Sequence, residues 1–252
     1  MIYGLYLSAS GVLTNSYRQD VIANNIANSE TVGFKKDMAL LQQRPTAAQE
    51  LARSNQTNSL LEPVGGGLLA SSTVVDSLPG EIESTGNNLD VALQGNGFLA
   101  VSSAGKIHLT RNGQMALDRT GRLVLSNDPN QAVLDSKQSP IALDGTAPTT
   151  ISTDGTITQN GKVVAALGLF DLSDPATLRK DGATLLSTPA DAQLNRAAPT
   201  VRSGFVERSN VDPATELTEL MDTQRQLEAN ANMIHIQDET LDKLVNDVGR
   251  IS

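Results

Sequence analysis

The stretch Leu217-Thr-Glu-Leu220-Met-Asp-Thr-Gln224-Arg-Gln-Leu227-Glu-Ala-Asn-Ala231-Asn-Met-Ile234-His-Ile-Gln-Asp238-Glu-Thr-Leu241-Asp-Lys-Leu-Val245-Asn-Asp-Val248 decides the fold class. Its numbered positions recur at alternating steps of three and four, the seam of a heptad helix. Only Gln224 and Asp238 interrupt an otherwise apolar seam, and polar seam residues set register or oligomer state at some cost in stability. Upstream, Asn210-Val211-Asp212-Pro213 supplies a capping residue followed by proline, a helix start. A helix from Ala214 to Gly249 is therefore expected, about 54 Å long at 1.5 Å per residue. The charged residues off the seam, from Glu216 and Glu219 to Asp242 and Asp247, are mostly acidic and read as its outer face.

The other end repeats the signal. Ile2, Leu5, Ala9, Val12, Ser16, Gln19, Ala23 and Ile26 share one face at heptad spacing. Between Met1 and Ser29 the only charges are Arg18 and Asp20, so several sides of this helix need covering. The helix is expected to exit through Asn24-Asn25-Ile26-Ala-Asn28 and Thr31-Val-Gly33-Phe34, because Asn tolerates left-handed backbone and Gly favours it.

Between the two ends the pattern changes to strands. Asn96-Gly97, Asn112-Gly113, Asp144-Gly145, Asp154-Gly155, Asn160-Gly161 and Asp181-Gly182 are turn dipeptides of the tight-hairpin kind. Short apolar or alternating runs lie among them, including Phe98-Leu-Ala-Val101, Arg122-Leu-Val-Leu125 and Val163-Val-Ala-Ala-Leu167. The fold class is thus mixed with segregated α and β parts: N- and C-terminal coiled-coil helices flanking an inserted antiparallel all-β domain. Residues 1–41 and 206–252 form the expected helical polymerisation domain and 75–205 the β domain. Residues 42–74, with Pro45, Pro63 and Gly65-Gly-Gly67, form an extended connector.

Composition excludes several function classes. The 252 residues carry a net charge of −9, against the clustered basic side chains that nucleic acid requires. Cysteine is absent, which removes disulfides, thiolate metal sites and a cysteine nucleophile. His108 and His235 stand too far apart in sequence to form a local metal cluster. His108 reads as a surface or packing residue and His235 as a residue beside the helix seam. Gly95-Asn-Gly97 lacks a third glycine and a following helix, and Gly65-Gly-Gly67 lacks the Lys-Ser/Thr of a phosphate loop. Asp171 and Asp174 are close enough in sequence for a carboxylate pair, but Asp174-Pro175 reads as the start of a turn or short helix. No membrane-spanning run occurs, and the apolar start lacks the basic flank of a cleaved secretory signal. These readings predict no enzyme, no cofactor, no metal and no small-molecule substrate.

The segment Ala23-Asn24-Asn25-Ile-Ala-Asn28-Ser-Glu-Thr31-Val-Gly33-Phe34-Lys35 resembles the N-terminal signature of bacterial flagellar rod and hook proteins. Glu207-Arg-Ser209-Asn210-Val211-Asp212, followed by Thr223-Gln224-Arg225 and Glu228-Ala-Asn230, resembles their closing signature. Leu89-Asp-Val-Ala-Leu-Gln-Gly95-Asn-Gly97-Phe98, Thr110-Arg-Asn-Gly113 and Asp118-Arg-Thr-Gly121 stand between them in the family's order. The resemblance spans nearly the whole chain, and the length with a single β domain resembles a proximal or distal rod protein rather than a hook subunit.

That resemblance implies a structural subunit, exported by the flagellar type III apparatus without a cleaved signal. It would polymerise with copies of itself and neighbouring rod and hook proteins into the hollow driveshaft crossing the periplasm. The helices would line the inner tube and the β domain the outer wall. The assembly face would comprise Ile2, Leu5, Ala9, Val12 and Ile26 with Leu217, Leu220, Leu227, Ala231, Ile234, Leu241, Val245 and Val248. A competing reading is an extracytoplasmic binding or adhesion domain oligomerised by a coiled coil. It would form closed trimers through the C-terminal helix alone, whereas two terminal seams favour open polymers.

Overall fold

The computed structural model describes residues 2–45, 67–172, 177–189 and 193–248. Much of the expected connector, including Pro63 and Gly65-Gly66, lies outside these residues, as do Asp174-Pro175, Gly249 and the side chains of Ile2 and Val248. Backbone contacts divide the chain into two compact units. The first comprises residues 1–26, 38–73 and 213–252, and the second 27–37 and 74–212.

The first unit holds the two long helices, α1 (Ile2–Ala27) and α2 (Pro213–Val248). Proline opens α2, where a missing N–H costs nothing because the first turn has no internal acceptor for it. A short antiparallel ribbon joins them, pairing Leu41–Gln43 with Leu68–Ala70. Tyr17 Oη donates to the Ser71 carbonyl at 2.8 Å, and Arg44 Nη1 donates to Tyr6 Oη at 3.0 Å, so α1 holds this ribbon from two places. The sequence pattern gave no sign of the ribbon, because three-residue strands are too short to show a period of two.

The second unit is built from antiparallel strands. Phe98–Ser103 is its central strand, pairing with Lys106–Thr110, with Asp128–Val133 and with Leu169–Leu172. Thr149–Ile151, Thr156–Gln159 and Lys162–Ala166 form a separate three-stranded sheet. Two further pairs, Val91–Gln94 with Thr200–Ser203 and Ile82–Ser84 with Phe205–Glu207, bring early strands beside late ones. Alternate sides of the central strand feed different cores. Leu99 and Val101 pack with Met115, Leu123 and Ile157, while Phe98 and Ala100 pack with Leu109, Phe170 and Leu178.

The turn dipeptides behave less uniformly than the sequence suggests. Asn160-Gly161 has positive φ at both positions (52° and 74°), as a type I′ hairpin requires. Gly113 and Gly145 do not take positive φ at all. Gly113 is needed for space instead, since a Cβ there would lie 1.7 Å from the Val91 carbonyl oxygen. Conversely, the hairpin between Phe98–Ser103 and Lys106–Thr110 turns through Ala104 (φ 50°) and Gly105 (φ 76°), an unpromising dipeptide. Hydrogen-bonded pairing on both sides holds Ala104 in a conformation it disfavours on its own.

Candidate functional site

In the first unit the two helices meet along a face that counting apolar residues finds only in part. The inward positions of α2 are Glu216, Leu220, Thr223, Leu227, Asn230, Ile234, Gln237 and Leu241. Glu216, Thr223, Asn230 and Gln237 each stand one residue before a seam position expected from sequence, while Leu220, Leu227, Ile234 and Leu241 are seam positions themselves. Leu220, Leu227, Ile234 and Leu241 are half-buried, whereas Leu217 is 50% exposed, Val245 70% exposed, and Ala231, Gln224 and Asp238 are exposed. Glu216, read from sequence as an outer acid, is 1% exposed and accepts a 3.2 Å hydrogen bond from Asn25 Nδ2. Its correction has a physical cause: a short amide on α1 supplies the partner that a buried carboxylate needs.

On α1 the matching inward positions are Gly4, Ser8, Gly11, Asn15, Arg18, Ile22 and Asn25, one residue before Leu5, Ala9, Val12 and Ile26. Those four apolar residues are half-buried. The helices run antiparallel. A Cβ at Gly4 would lie 2.8 Å from Gln237 Nε2, and one at Gly11 would lie 2.7 Å from Asn230 Nδ2. Arg18 Nη1 donates to Gln226 Oε1 at 3.4 Å, and Asn25 meets Glu216. His235 is exposed on α2, away from this face.

In the second unit the two signature segments close on one another around Glu207. This carboxylate is 1% exposed and lies between two cations, accepting from Lys35 Nζ and, at 3.0 Å, from Arg111 Nη1. Gly80 N–H adds a third bond at 2.9 Å. The Glu207 carbonyl accepts from the Gly33 amide at 2.7 Å. Lys35 Nζ also donates to the Leu78 carbonyl, and Arg111 Nη2 to the Gly95 carbonyl, both at 2.7 Å. The Arg111 guanidinium lies 5.1 Å from the centre of the Phe98 ring. Burial pulls the Lys35 ammonium below its usual value, while Glu207 pulls it back up.

Other signature residues close the same joint. Asn28 and Thr31 form the turn after α1, with Thr31 N–H donating to the Asn28 carbonyl at 3.1 Å. Gly33 has φ 70°, and a Cβ there would sit 2.2 Å from the Asn112 nitrogen. Phe34 is fully buried, with Lys180 Nζ 3.5 Å from its ring centre. Asn210 Oδ1 accepts from Lys36 N–H at 2.7 Å, and its Nδ2 donates to the Leu78 carbonyl at 3.1 Å. Ser209 Oγ accepts from Val211 N–H, and Val211 is buried; Asn24 is exposed on α1. Lys35 and Arg111 were missed as partners because their meeting with Glu207 depends on strand pairing, which residue spacing does not reveal.

The arrangement holds and aligns chain segments. Among the described residues, no group of three His, Asp or Glu side chains is placed to hold a metal ion, and no helix is long and apolar enough to cross a membrane. His108 is buried in its strand, with its Nε2 2.9 Å from Asp181 Oδ2.

Three family models match the chain. Residues 5–35 match the flagella basal body rod protein model, residues 92–165 the flagellar hook protein FlgE/F/G D1 domain, and residues 202–247 the flagellar basal body rod FlgEFG protein C-terminal model. The chain is 30% identical to the flagellar basal-body rod protein FlgF of Caulobacter vibrioides over 251 residues, covering 98% of each. It is likewise 30% identical to the flagellar basal-body rod protein FlgG of Bacillus subtilis over 268 residues, covering 98% of this chain and 99% of the other. The FlgF protein of Salmonella typhimurium is 30% identical over 254 residues, 95% of each. Lys35, Arg111 and Glu207 come one from each segment that matches a family model, so the buried joint unites the three matched segments. The chain belongs to the family of flagellar basal-body rod proteins.

Proposed function

We propose that this chain is a structural subunit of the bacterial flagellar basal-body rod, and that it polymerises through its terminal helices into a hollow shaft. That shaft transmits torque and conducts exported subunits, and the chain has no enzymatic role. The observation that carries the reading is the apolar surface left on the helices of a single subunit. Leu217, Met221, Ile236 and Val245 on α2 are each at least half exposed, and Leu13 on α1 is 71% exposed. Long helices gain most of their stability from packing, so such faces call for neighbouring copies, with coiled-coil contacts between subunits. The chain reaches the rod across the periplasm by the flagellar export apparatus, without a cleaved signal, and meets neighbouring rod and hook proteins there. A polymerisation domain of residues 1–41 and 206–252 carries these contacts.

The test is imaging of concentrated full-length protein added to isolated basal bodies. Extension of the rod by open polymer is the expected result. Closed trimers, the product of the adhesion-domain reading, would contradict it.

A further inference from the structure

Each helix of the first unit carries two heptad faces side by side. One is apolar and includes Leu5, Ala9 and Val12 on α1 with Leu217, Ala231 and Val245 on α2. The face that the helices turn toward each other alternates on α2 between apolar Leu220, Leu227, Ile234 and Leu241 and polar Glu216, Thr223, Asn230 and Gln237, and the polar set meets small or polar residues of α1: Gly4 against Gln237, Gly11 against Asn230, Asn25 against Glu216. These contacts keep step, since each move of one or more heptads up α1 is matched by the same move down α2.

An apolar heptad face is permissive about register. Shifted by seven residues, the column Leu220, Leu227, Ile234 and Leu241 presents a large aliphatic side chain again at each place, and little burial is lost. The polar face is not permissive. A slip in one direction brings Arg18 to Asn230, where Gly11 had left room for the amide, and moves Glu216 off Asn25. A slip in the other carries Asn25 past Pro213, the start of α2, and strips Gln237 of its glycine. Buried polar positions fix register in paired helices at a cost in stability, and this seam has the composition for that task.

We infer that Gly4–Gln237, Gly11–Asn230 and Asn25–Glu216 are register determinants, which lock α1 on α2 in one of the several alignments that the heptad pattern allows. The lock holds the apolar faces at fixed heights for neighbouring copies. That last consequence rests on the polymer reading above; the register itself does not.

The chain contains no cysteine, so an introduced pair reports register without background. In full-length protein, Asn25→Cys with Glu216→Cys should form an intrachain disulfide on oxidation, read as a mobility shift of the monomer. Adding Gly11→Leu should abolish the shift, because the larger side chain displaces Asn230. Adding Asn230→Ala to that variant should restore it, whereas Gln237→Ala, one heptad away, should not. An undiminished disulfide with Gly11→Leu, or equal rescue by Gln237→Ala, would overturn the assignment. Because the readout is taken on monomer, its result stands apart from any failure of the protein to polymerise.

Discussion

Glu207 accepts a hydrogen bond from Lys35, 172 positions earlier in the chain, and with that bond the two ends of the β unit are joined in its interior. Arg111 supplies the second cation, so two buried cations share the one carboxylate that bonds them both. Removing the carboxylate leaves both cations buried without their counter-charge. Glu207→Gln should lower unfolding free energy by about 3–5 kcal/mol, measured by denaturant titration of the purified chain. Lys35→Met leaves Glu207 still paired to Arg111 and should cost less. Equal losses from the two variants would show that Glu207 is not the centre of the joint.

Gly33 and Gly86 both have positive φ, 70° and 73°, yet their surroundings differ. A Cβ at Gly86 meets nothing within 4 Å, whereas at Gly33 it meets the Asn112 backbone. Gly86→Ala should cost roughly 1–2 kcal/mol, the strain of left-handed backbone alone. Gly33→Ala adds a backbone clash and should cost clearly more in the same melt.

Three exposed turns share one device: Asp118, Asp144 and Asp154 accept from the N–H and hydroxyl of the threonine two residues on. The Thr120 hydroxyl is the largest cause holding Asp118 well below the usual carboxylate range. The amides of Thr146 and Thr156 lead in lowering Asp144 and Asp154. Protons therefore bind these groups more weakly in the folded chain than in the unfolded one. The stabilisation is complete above the unfolded value of about 3.9 and is lost as pH falls through the lower folded values. Melting temperature should fall below about pH 4, and Asp118→Asn should flatten that fall.

The chain's broad plan was legible in sequence because long periodic segments and glycine-bearing turns act locally. The helix bounds at Ala27 and Pro213 follow from Asn, Gly and Pro preferences, which need no tertiary partner. What was not legible depends on partners distant in sequence. Glu216 looks like a solvent-facing acid until Asn25 is placed beside it. Gly4 and Gly11 look like weak points in a helix until Gln237 and Asn230 fill the space above them. Apolar periodicity located the helices and placed Leu220, Leu227, Ile234 and Leu241 on the inward side of α2, but it missed the polar positions, one residue round from the rest of the seam, that meet α1.

Leu217 separates the uses of the two faces. It is half exposed in the subunit, so Leu217→Asp should change monomer stability by no more than about 0.5 kcal/mol. Between copies it would remove a buried apolar contact, worth about 2–5 kcal/mol on truncation alone, and add an unpaired carboxylate. Swimming should be lost while the β unit stays folded. Glu219→Lys, a single exposed charge, is worth under about 1 kcal/mol and should swim normally.

Ile234 faces inward on α2, half-buried within the subunit. Ile234→Asp should therefore break the intrachain pairing of α1 and α2 as well as assembly, unlike Leu217→Asp. Hydrogen exchange on the monomer checks this: amides of α1 should lose protection in Ile234→Asp and keep it in Leu217→Asp.

Cryo-electron microscopy of basal bodies isolated from cells that make this chain tests the rod assignment most directly. The expected result is a rod containing the chain in repeated copies, with Leu217 and Val245 of each subunit covered by helices of its neighbours. A rod without this chain, or one in which those two side chains face open solvent, would contradict the claim that its terminal helices build the shaft.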